Sequence, residues 1–470
     1  MTPPALLLPL LISLSVRSLC RPKQVHITLG DHFINLDSKV LYRVGFTTDV
    51  ECKARVTVEV SDSPRETWKT FAAKCHTYTA PAPLAYSRRR CFSELRGLKN
   101  ASRFSYRLAV DGESVRGPFV FASEISTSFE PRIAIFGDHD LSPAGRPLLD
   151  ALRAHRIDLL LHLGDFAYNL HNDNGERGDA YLEALEEVVA HVPIIYTPGN
   201  HDYFDNYRLL NARFRLPLAH EVDDNNLTAF RVRKTLFLGL NLDFFVEAPL
   251  EDRILLLEKL EDLLTESSRR SDRHRVFFSH RPLTCGDFVS FKPSQCLVSN
   301  FAYQQIVALM EKHGVRFSIA GHVHCYQRLR GPWLFSSPEA RRAGAAFVVG
   351  TGGNASFFGR LENSLNSNVV KTLDQTAGFL LLRVGQGLAF DFLAVSGETR
   401  DSIRFDHEDL SPRVSLFEIL LLLAALAGFF AAVSARTWIK GKIYASVPSI
   451  SLESSLEIIT TKSKADLKLH

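Results

Sequence analysis

Five short polar blocks along the chain each follow an apolar run that is typical of a buried β-strand. The runs are Ile133–Phe136, Leu159–Leu163, Ile194–Tyr196, Val276–Phe278 and Phe317–Ala320. Helical patterns lie between several of them, at residues 147–154, 180–190 and 301–313. This alternation predicts an α/β core in which polar side chains gather at the carboxyl ends of neighbouring strands. The blocks supply seven candidate metal ligands, which are Asp138, Asp165, Tyr168, Asn200, His280, His322 and His324.

The donor types in these blocks suit a pair of metal ions. Carboxylate and amide oxygens, a phenolate and imidazoles match Fe(III) beside a divalent ion such as Zn, Mn or Fe(II). Two such ions roughly 3.5–4 Å apart clamp a phosphoryl group, and one of them generates the attacking hydroxide. A single Gly-Asp or Gly-His-x-His is more often a turn or a chance pair. Five blocks in order, each after an apolar run, indicate one site.

The blocks resemble those of the purple acid phosphatases, a family of calcineurin-like metallophosphoesterases, and the resemblance extends over about residues 24–406. It implies that three residues hold a ferric ion, namely Asp138, Tyr168 and His324. It also implies that three hold the divalent ion, namely Asn200, His280 and His322. Asp165 would bridge the two ions. His201 would be a catalytic group outside the metal ligands that orients the phosphate or protonates the leaving alcohol.

One residue departs from the family pattern. Asp140 occupies the second position after Asp138, where the purple enzymes usually carry Gly and the wider superfamily usually carries His. A carboxylate there reaches the ferric ion, competes with Tyr168, repels an anionic substrate, or instead caps the segment that begins at Leu141. A cap or an outer position is the favoured interpretation, because Asp near a helix start is mostly a cap. His139 is predicted to make no metal contact.

Residues 24–126 precede the predicted catalytic domain at 131–406 and have the pattern of an all-β domain. Short alternating runs recur at 25–29, 40–46, 54–60 and 104–110. Regular spacing of such runs is typical of a β-sandwich, and the region resembles the fibronectin-III-like domain of the larger purple acid phosphatases. The predicted fold class is α/β: a metallophosphoesterase α/β sandwich, preceded by a fibronectin-III-like β-sandwich and followed by a single transmembrane helix.

Composition and charge set wider limits. The 470 residues are 46% hydrophobic and 23% charged, so the chain has enough apolar content for two cores. The net charge is only +3, and the basic runs 88–90 and 269–270 are short. We interpret these runs as solvated loops, and no nucleic-acid partner is predicted.

Apolar segments near both ends bear on the location of the protein. Residues 1–20 resemble a secretory signal peptide, with an apolar run at 5–14. Residues 416–435 are long enough for one transmembrane helix, although a buried core helix is the alternative. Acidic residues precede this segment and basic residues follow it, which predicts a type I membrane protein with a lumenal or extracellular catalytic domain. The cytosolic tail, 436–470, contains Tyr444-Ala-Ser-Val447, a pattern of endosomal and lysosomal sorting signals.

Cysteine usage agrees with passage through the secretory pathway. Removal of the segment through Cys20 leaves six cysteines, of which the predicted pairs are Cys285 with Cys296 and, next, Cys75 with Cys91. Cys325 either pairs with Cys52 or remains a buried thiol. Candidate glycosylation sites are Asn100, Asn226 and Asn354.

Three functional hypotheses follow from these features. The family resemblance implies an acid phosphatase that hydrolyses phosphate monoesters by a metal-bound hydroxide, with a small phosphate ester or a phosphoprotein as substrate. A phosphodiesterase or pyrophosphohydrolase is the second hypothesis, and Tyr168 argues against it. The third is a cell-surface metal-binding protein in which Asp140 has impaired catalysis. Retention of all seven ligands and His201 argues against this third hypothesis.

Overall fold

Two mixed β-sheets form the framework of the computed structural model, which describes residues 20–62, 67–98, 103–122, 130–218, 225–286, 296, 301–333, 342–353 and 368–406. The strands are β1 (Lys23–Leu29), β2 (Val40–Thr48), β3 (Val56–Ser61), β4 (Lys69–Thr79), β5 (Ser87–Arg96), β6 (Arg103–Val110), β7 (Glu113–Ala122), β8 (Arg132–Phe136), β9 (Leu159–His162), β10 (Ile194–Tyr196), β11 (Leu227–Val232), β12 (Thr235–Leu240), β13 (His274–Ser279), β14 (Phe317–Ala320), β15 (Cys325–Arg330), β16 (Ala345–Val349), β17 (Val369–Asp374), β18 (Gly378–Val384), β19 (Leu388–Ala394) and β20 (Thr399–Phe405). The α-helices are α1 (Arg146–Ala154), α2 (Glu176–Val189), α3 (Arg208–Asn211), α4 (Leu242–Glu247), α5 (Leu250–Arg269) and α6 (Phe301–Lys312).

The larger sheet joins the N-terminal β region, residues 23–122, to the α/β region, residues 130–406. Its strand order is β20-β19-β18-β8-β9-β10-β1-β2-β5-β4-β3-β6-β7. Strands β8, β9 and β10 are parallel, and β1 extends this parallel run because Thr28 pairs with Ile194. Beyond β1 the pairing is antiparallel through to β7. The N-terminal region is therefore built of strands, as predicted, and it shares a sheet with the α/β region.

The second sheet has the order β11-β12-β13-β14-β16-β15-β17. Strands β12, β13, β14 and β16 run parallel within it. Parallel neighbours need a crossover connection, and α6 lies on the crossover between β13 and β14. The fully buried central strands are apolar, as in the Ile-Ala-Ile-Phe segment of β8. A continuous hydrophobic core includes Phe46 of the N-terminal region together with Leu161 and Phe347 of the two α/β sheets.

The structure confirms the apolar runs that were predicted as strands, now β8, β9, β10, β13 and β14, and the three predicted helices, now α1, α2 and α6. The prediction that residues 88–90 form a solvated loop is wrong. They lie in β5, and only 2% of Arg90 is exposed. The reason is that Gln24, far away in the sequence, and nearby Tyr86 accept hydrogen bonds from this guanidinium, so burial does not leave it without hydrogen bonds. Arg269, at the end of α5, is exposed as expected.

The disulfides agree with two predicted pairs and correct the cysteine count. Cys285 pairs with Cys296, and Cys75 pairs with Cys91 across adjacent strands. Cys20, which the count assigned to a removed segment, is bonded to Cys52. A disulfide between Cys52 and Cys325 is therefore excluded, and Cys325 is a buried thiol.

Several predictions concern residues outside the described ranges. These are the leader at 1–19, the apolar segment at 416–435, the tail, Asn100 and Asn354. Within the described ranges, no helix combines the length and the apolar character needed to cross a membrane. Asn226 is half-buried, and its side-chain oxygen accepts a hydrogen bond from Asn241.

Candidate metal centre

The predicted ligands follow the carboxyl ends of strands from both sheets, and the connecting loops bring them together. Asp138 and Asp165 follow β8 and β9, while His280 and His322 follow β13 and β14. The backbone amide of His322 donates to Asp138 Oδ2 at 2.8 Å, which ties one sheet to the other at the site. Four ligands have left-handed backbone conformations, with φ between 51° and 69°: Asp138, Asp165, Tyr168 and His322. Such conformations are costly for non-glycine residues and concentrate at functional sites.

The first group of side chains consists of Asp138, Tyr168 and His324. The Tyr168 hydroxyl is 3.1 Å from Asp138 Oδ1 and 2.5 Å from His324 Nε2. His324 Nε2 is 3.3 Å from the same Asp138 oxygen. These three donors are the ones that the family resemblance assigns to a ferric ion.

The second group consists of Asn200, His280 and His322. His280 Nε2 lies 3.0 Å from Asn200 Oδ1 and 3.2 Å from His322 Nδ1. Asp165 is in contact with this group, because its Oδ1 is 3.4 Å from His280 Nε2. Ligand atoms of Asp138, Asp165 and His280 all lie within 4.8 Å of one another, so Asp165 is placed between the two groups.

The hydrogen bonds of His280 fix which of its nitrogens carries a lone pair toward this space. Its Nδ1 is 2.7 Å from the carbonyl oxygen of Leu163, and this contact requires a proton on Nδ1. Neutral His280 therefore directs the unprotonated Nε2 at Asn200 Oδ1 and Asp165 Oδ1. A proton is available to His280 Nε2 from His322 Nδ1, because His322 Nε2 accepts a hydrogen bond from Arg281. Asn200 Oδ1 and Asp165 Oδ1 add two oxygen acceptors beside Nε2, and a cation in this space would be stabilised by all three atoms.

Buried charge in the two groups also favours cations. Asp138 and Asp165 are 0% and 1% exposed, and within the described ranges neither forms an ion pair with Lys or Arg. Burial, together with the neighbouring Asp138 carboxylate, raises the pKa of Asp165 well above its ordinary value. Burial and the same carboxylate also raise the pKa of Tyr168. Bound cations would supply the missing positive charge and favour the ionised forms of both residues, so the donor set fits a two-metal centre.

Asp202, a residue of the third block without a predicted role, organises the loops that carry Asp165 and Asn200. Its carboxylate accepts hydrogen bonds from the backbone amides of Asp165, Phe166 and Gly199, at 2.8, 3.0 and 2.9 Å. The loops approach so closely that a Cβ atom on Gly199 would lie 2.2 Å from Asp165 Oδ1. Only glycine fits there. The signal for Asp202 was present in the Gly-Asn-His-Asp segment, since Asp commonly accepts backbone hydrogen bonds in turns.

A directional chain of hydrogen bonds behind the site holds His139 and His162. The amide of Gly164 donates to His162 Nδ1, so neutral His162 carries its proton on Nε2 and donates it to the Tyr181 hydroxyl. Tyr181 in turn donates to His139 Nδ1, and His139 Nε2 donates to the carbonyl of Gly145. Burial lowers the pKa of His139 to about 4. Both ring nitrogens of His139 are thus occupied, in accord with its predicted lack of a metal contact.

His201 lies beside the first group and outside both. Its Nδ1 is 3.1 Å from Asn169 Oδ1, and its ring centroid is 4.8 Å from that of Tyr168. The backbone amide of His201 donates to Asp165 Oδ1 at 2.8 Å. Asn169 was not predicted as a site residue; its position directly after Tyr168 was the available signal.

Arg281 is a third residue that the sequence interpretation missed, after Asp202 and Asn169. It follows His280 directly, and one of its terminal nitrogens is 2.8 Å from His322 Nε2. Its Nε donates to Asp243, which forms an ion pair with it. A guanidinium at this distance from a predicted ligand adds positive charge at the edge of the site.

The structure favours the capping interpretation of Asp140. Its Oδ1 accepts a hydrogen bond from the backbone amide of Ser142 at 2.9 Å, which is a turn contact. After the third block, Tyr203 is 62% exposed, whereas Phe204 stacks on His171 with 4.6 Å between ring centroids.

Residues 131–326 match the model of the calcineurin-like phosphoesterase family. The chain therefore contains a calcineurin-like metallophosphoesterase domain. Among curated proteins it is 28% identical over 229 residues to acid phosphatase type 7 of Danio rerio, an alignment that covers 45% of this chain and 51% of the relative. It is 27% identical to acid phosphatase type 7 of Mus musculus, with 50% and 56% covered. The chain spans about half the length of the curated relatives it matches.

Solved structures share the fold over a larger part of the chain. A purple acid phosphatase from yellow lupin (Lupinus luteus) seeds, PPD1, superposes with a TM-score of 0.67 at 17% identity, covering 84% of this chain and 78% of that one. PhoD superposes with a TM-score of 0.58 at 14% identity, covering 84% and 92%. At these identities the likeness concerns the fold alone.

Proposed function

We propose that this chain hydrolyses phosphate monoesters at a centre of two metal ions, as an acid phosphatase of the purple type. One observation carries the proposal: Asp138, Tyr168 and His324 form one donor group, Asn200, His280 and His322 form another, and Asp165 lies between them. The similarity to proteins named acid phosphatase type 7 supports the same activity.

The first group would hold Fe(III), because carboxylate, phenolate and imidazole suit a hard trivalent ion. The second would hold a divalent ion such as Zn, Mn or Fe. When bound, the ions supply the nucleophile and neutralise charge on the phosphoryl oxygens. The chain's own residues do the remaining work. Asn169 orients His201, which positions the phosphate and gives a proton to the leaving alcohol, and Arg281 attracts the phosphate dianion to the divalent side.

Comparison of three substrates tests this activity. The purified protein would be assayed with a phosphate monoester, a phosphate diester and a pyrophosphate at equal concentration from pH 4 to 8. Preference for the monoester supports the proposal. Preference for the diester or the pyrophosphate, with full metal content, would replace it by the phosphodiesterase or pyrophosphohydrolase hypothesis. Metal content without turnover of any substrate would favour a metal-binding protein.

Location is a further part of the proposal. The disulfides are typical of secreted or extracellular proteins. We place the α/β region in the lumen or outside the cell, behind a leader that ends before Cys20 because Cys20 is bonded to Cys52. Residues 416–435 would anchor it as a type I membrane protein. The sorting pattern at 444–447 would direct it to endosomes or lysosomes. The N-terminal β region would be a domain of the fibronectin-III type. Glycosidase sensitivity would test exposure of the chain to the secretory pathway. In sealed membrane vesicles, protection of the α/β region from added protease together with digestion of the tail would test the topology.

A further inference from the structure

A cluster of four arginines, none of which belongs to the blocks of predicted ligands, lies between the N-terminal β region and the α/β region. This arginine cluster consists of Arg43 on β2, Arg90 on β5, and Arg213 and Arg215 after α3. All four line one cavity of about 10 Å³, together with His26 and Phe214. A cavity of this size accommodates one water-sized particle.

Arg90 is buried without a direct ion pair within the described ranges, and the nearest interacting carboxylate, Asp179, acts on its charge only at longer range. It is 2% exposed, and it forms no ion pair with a carboxylate in the part of the chain that the structure describes. Its terminal nitrogens donate to two neutral groups, the side-chain oxygen of Gln24 at 3.2 Å and the Tyr86 hydroxyl at 2.6 Å. Its Nε has no hydrogen-bond partner among the described residues. A buried charge with an unused donor is costly unless a ligand compensates it.

Arg43 and Arg213 form ion pairs with carboxylates, but these pairs do not remove the excess positive charge of the cluster. Arg43 pairs with Asp31 at 2.5 Å and with Glu94 at 3.8 Å, yet its Nε also lacks a hydrogen-bond partner within the described ranges. Arg213 pairs with Asp179 at 3.1 Å, and Asp179 is shared with Arg88. The neighbouring positive charges also shift pKa values. Burial and Arg213 lower the pKa of Arg90 to about 10, and burial together with Arg90 and Arg213 lowers that of His26 to about 4.

We infer that this cavity is a binding site for a single monatomic anion, chloride in particular, held between Arg90 and Arg43. Its position explains its role: the anion joins strands of the N-terminal β region to the segment after α3 and thereby stabilises their packing. A water molecule would fill the same volume but would leave the positive charge uncompensated. Oxyanions such as phosphate are too large for a space of one water-sized particle.

Thermal unfolding of the purified full chain in sodium chloride and in sodium gluconate, at equal ionic strength and pH 7, tests the site. Chloride at about a hundred times its dissociation constant should raise the unfolding midpoint by about 3 °C, since gluconate does not fit. Arg90→Gln should abolish the difference between the two salts. Arg55→Gln, which changes an exposed arginine of the same region, should retain it. An equal midpoint in both salts for the unchanged protein would overturn the inference, as would a chloride shift that survives Arg90→Gln.

Anomalous diffraction from crystals grown in bromide provides a measurement that needs no variant. A bromide peak in the cavity, within contact of Arg90 and Arg43, supports the site even if Arg90→Gln does not fold. A cavity that holds only a water without anomalous signal would refute it. Bromide found only at the metal centre would also refute it, and it would attribute any stabilisation by chloride to that centre.

Discussion

The candidate metal centre and the arginine cluster are both buried and polar, but the charge that the protein leaves uncompensated has opposite sign in the two. At the metal centre, Asp138 and Asp165 are buried without a Lys or Arg partner in the described ranges. In the arginine cluster, Arg90 is buried without a carboxylate partner there. Because an isolated buried charge is strongly disfavoured, the sign of the excess indicates the ligand: cations for the first region and an anion for the second.

The two regions also differ in how the backbone supports them. Four predicted ligands of the candidate metal centre have left-handed backbone conformations, and they lie on loops that follow strands. The arginines and their partners Tyr86 and Gln24 lie on or beside strands and hydrogen-bond to one another. Strain concentrated at the first region is typical of a site that acts on a ligand, whereas the second has the character of a structural joint.

The largest expected effect comes from Asp165→Asn, which removes the charge between the two donor groups while retaining an oxygen for the amide of His201. Turnover should fall by more than about a thousandfold, because the loss of a shared ligand removes several kcal/mol of transition-state stabilisation. The metal-free variant should unfold at the same temperature as the metal-free parent or higher, because a buried unpaired carboxyl group has been neutralised. Kinetics and calorimetry check the two parts, with exposed Asp173→Asn as the control. Reduced stability of the metal-free variant would contradict the inference that the candidate metal centre has an excess of negative charge.

Asp179→Asn should reduce stability and leave turnover nearly unchanged, the reverse of the effects expected for Asp165→Asn. This carboxylate accepts hydrogen bonds from Gln24, Tyr86, Arg88 and Arg213. Its neutralisation leaves buried guanidiniums uncompensated and should cost about 3–5 kcal/mol of unfolding free energy. Denaturant unfolding measures that loss, while turnover per folded molecule should stay near that of the parent. Exposed Asp37→Asn is the matched control, and a loss below about 1 kcal/mol would mean that the cluster does not depend on this carboxylate.

Protonation of His26 should lower the free energy of unfolding at acidic pH, because His26 lies in the arginine cluster. The pKa of folded His26, about 4, lies below its ordinary value of 6.5 because of burial and the adjacent Arg90 and Arg213. The unfolded chain therefore binds the extra proton first. The contribution of neutral His26 is fully present above pH 6.5 and is lost as the pH falls toward 4, a change of about 3 kcal/mol. His26→Gln should flatten the stability profile in that window at constant chloride; exposed His191→Gln should not.

Asp140→Asn should have the smallest effect. The amide oxygen can still accept the hydrogen bond from Ser142, so kcat and KM should remain within about twofold of the parent. Steady-state kinetics with a phosphate monoester measures both constants. A gain in turnover of tenfold or more would instead mean that the Asp140 carboxylate inhibits the metal centre, and the third functional hypothesis would gain support.

Sequence patterns identified the residues that converge at the candidate metal centre more readily than those of the arginine cluster, for a physical reason. A ligand block is local: Gly-Asp138 after the Ile-Ala-Ile-Phe strand, or Gly-His322-Val-His324 after β14, is recognisable within a few residues. The arginine cluster depends on hydrogen bonds between residues that are far apart in the chain, such as Gln24 with Arg213 and Tyr86 with Asp179. Nothing adjacent to Arg90 in the sequence indicates such partners, so this arginine was interpreted as solvated.

Local reasoning failed in the same way elsewhere. Cys20 was assigned to a removed segment because it follows an apolar run, but only the fold brings it to Cys52. Strands β4 and β7 have largely exposed residues and a weak apolar alternation, so they were not predicted. The convergence of two sheets at Asp138 and His322 also required the topology, because the strands β8 and β14 belong to different sheets.

The central claim is that the candidate metal centre holds two cations and that Tyr168 is a ligand of one of them. The metal content and visible spectrum of the purified protein test this claim most directly. We expect two metal ions per chain and a tyrosinate-to-iron charge-transfer band. Tyr168→Phe should abolish that band, whereas Tyr203→Phe, at an exposed position, should leave it unchanged. A band that persists in Tyr168→Phe, or a protein that binds fewer than two ions under saturating iron and zinc, would contradict the account.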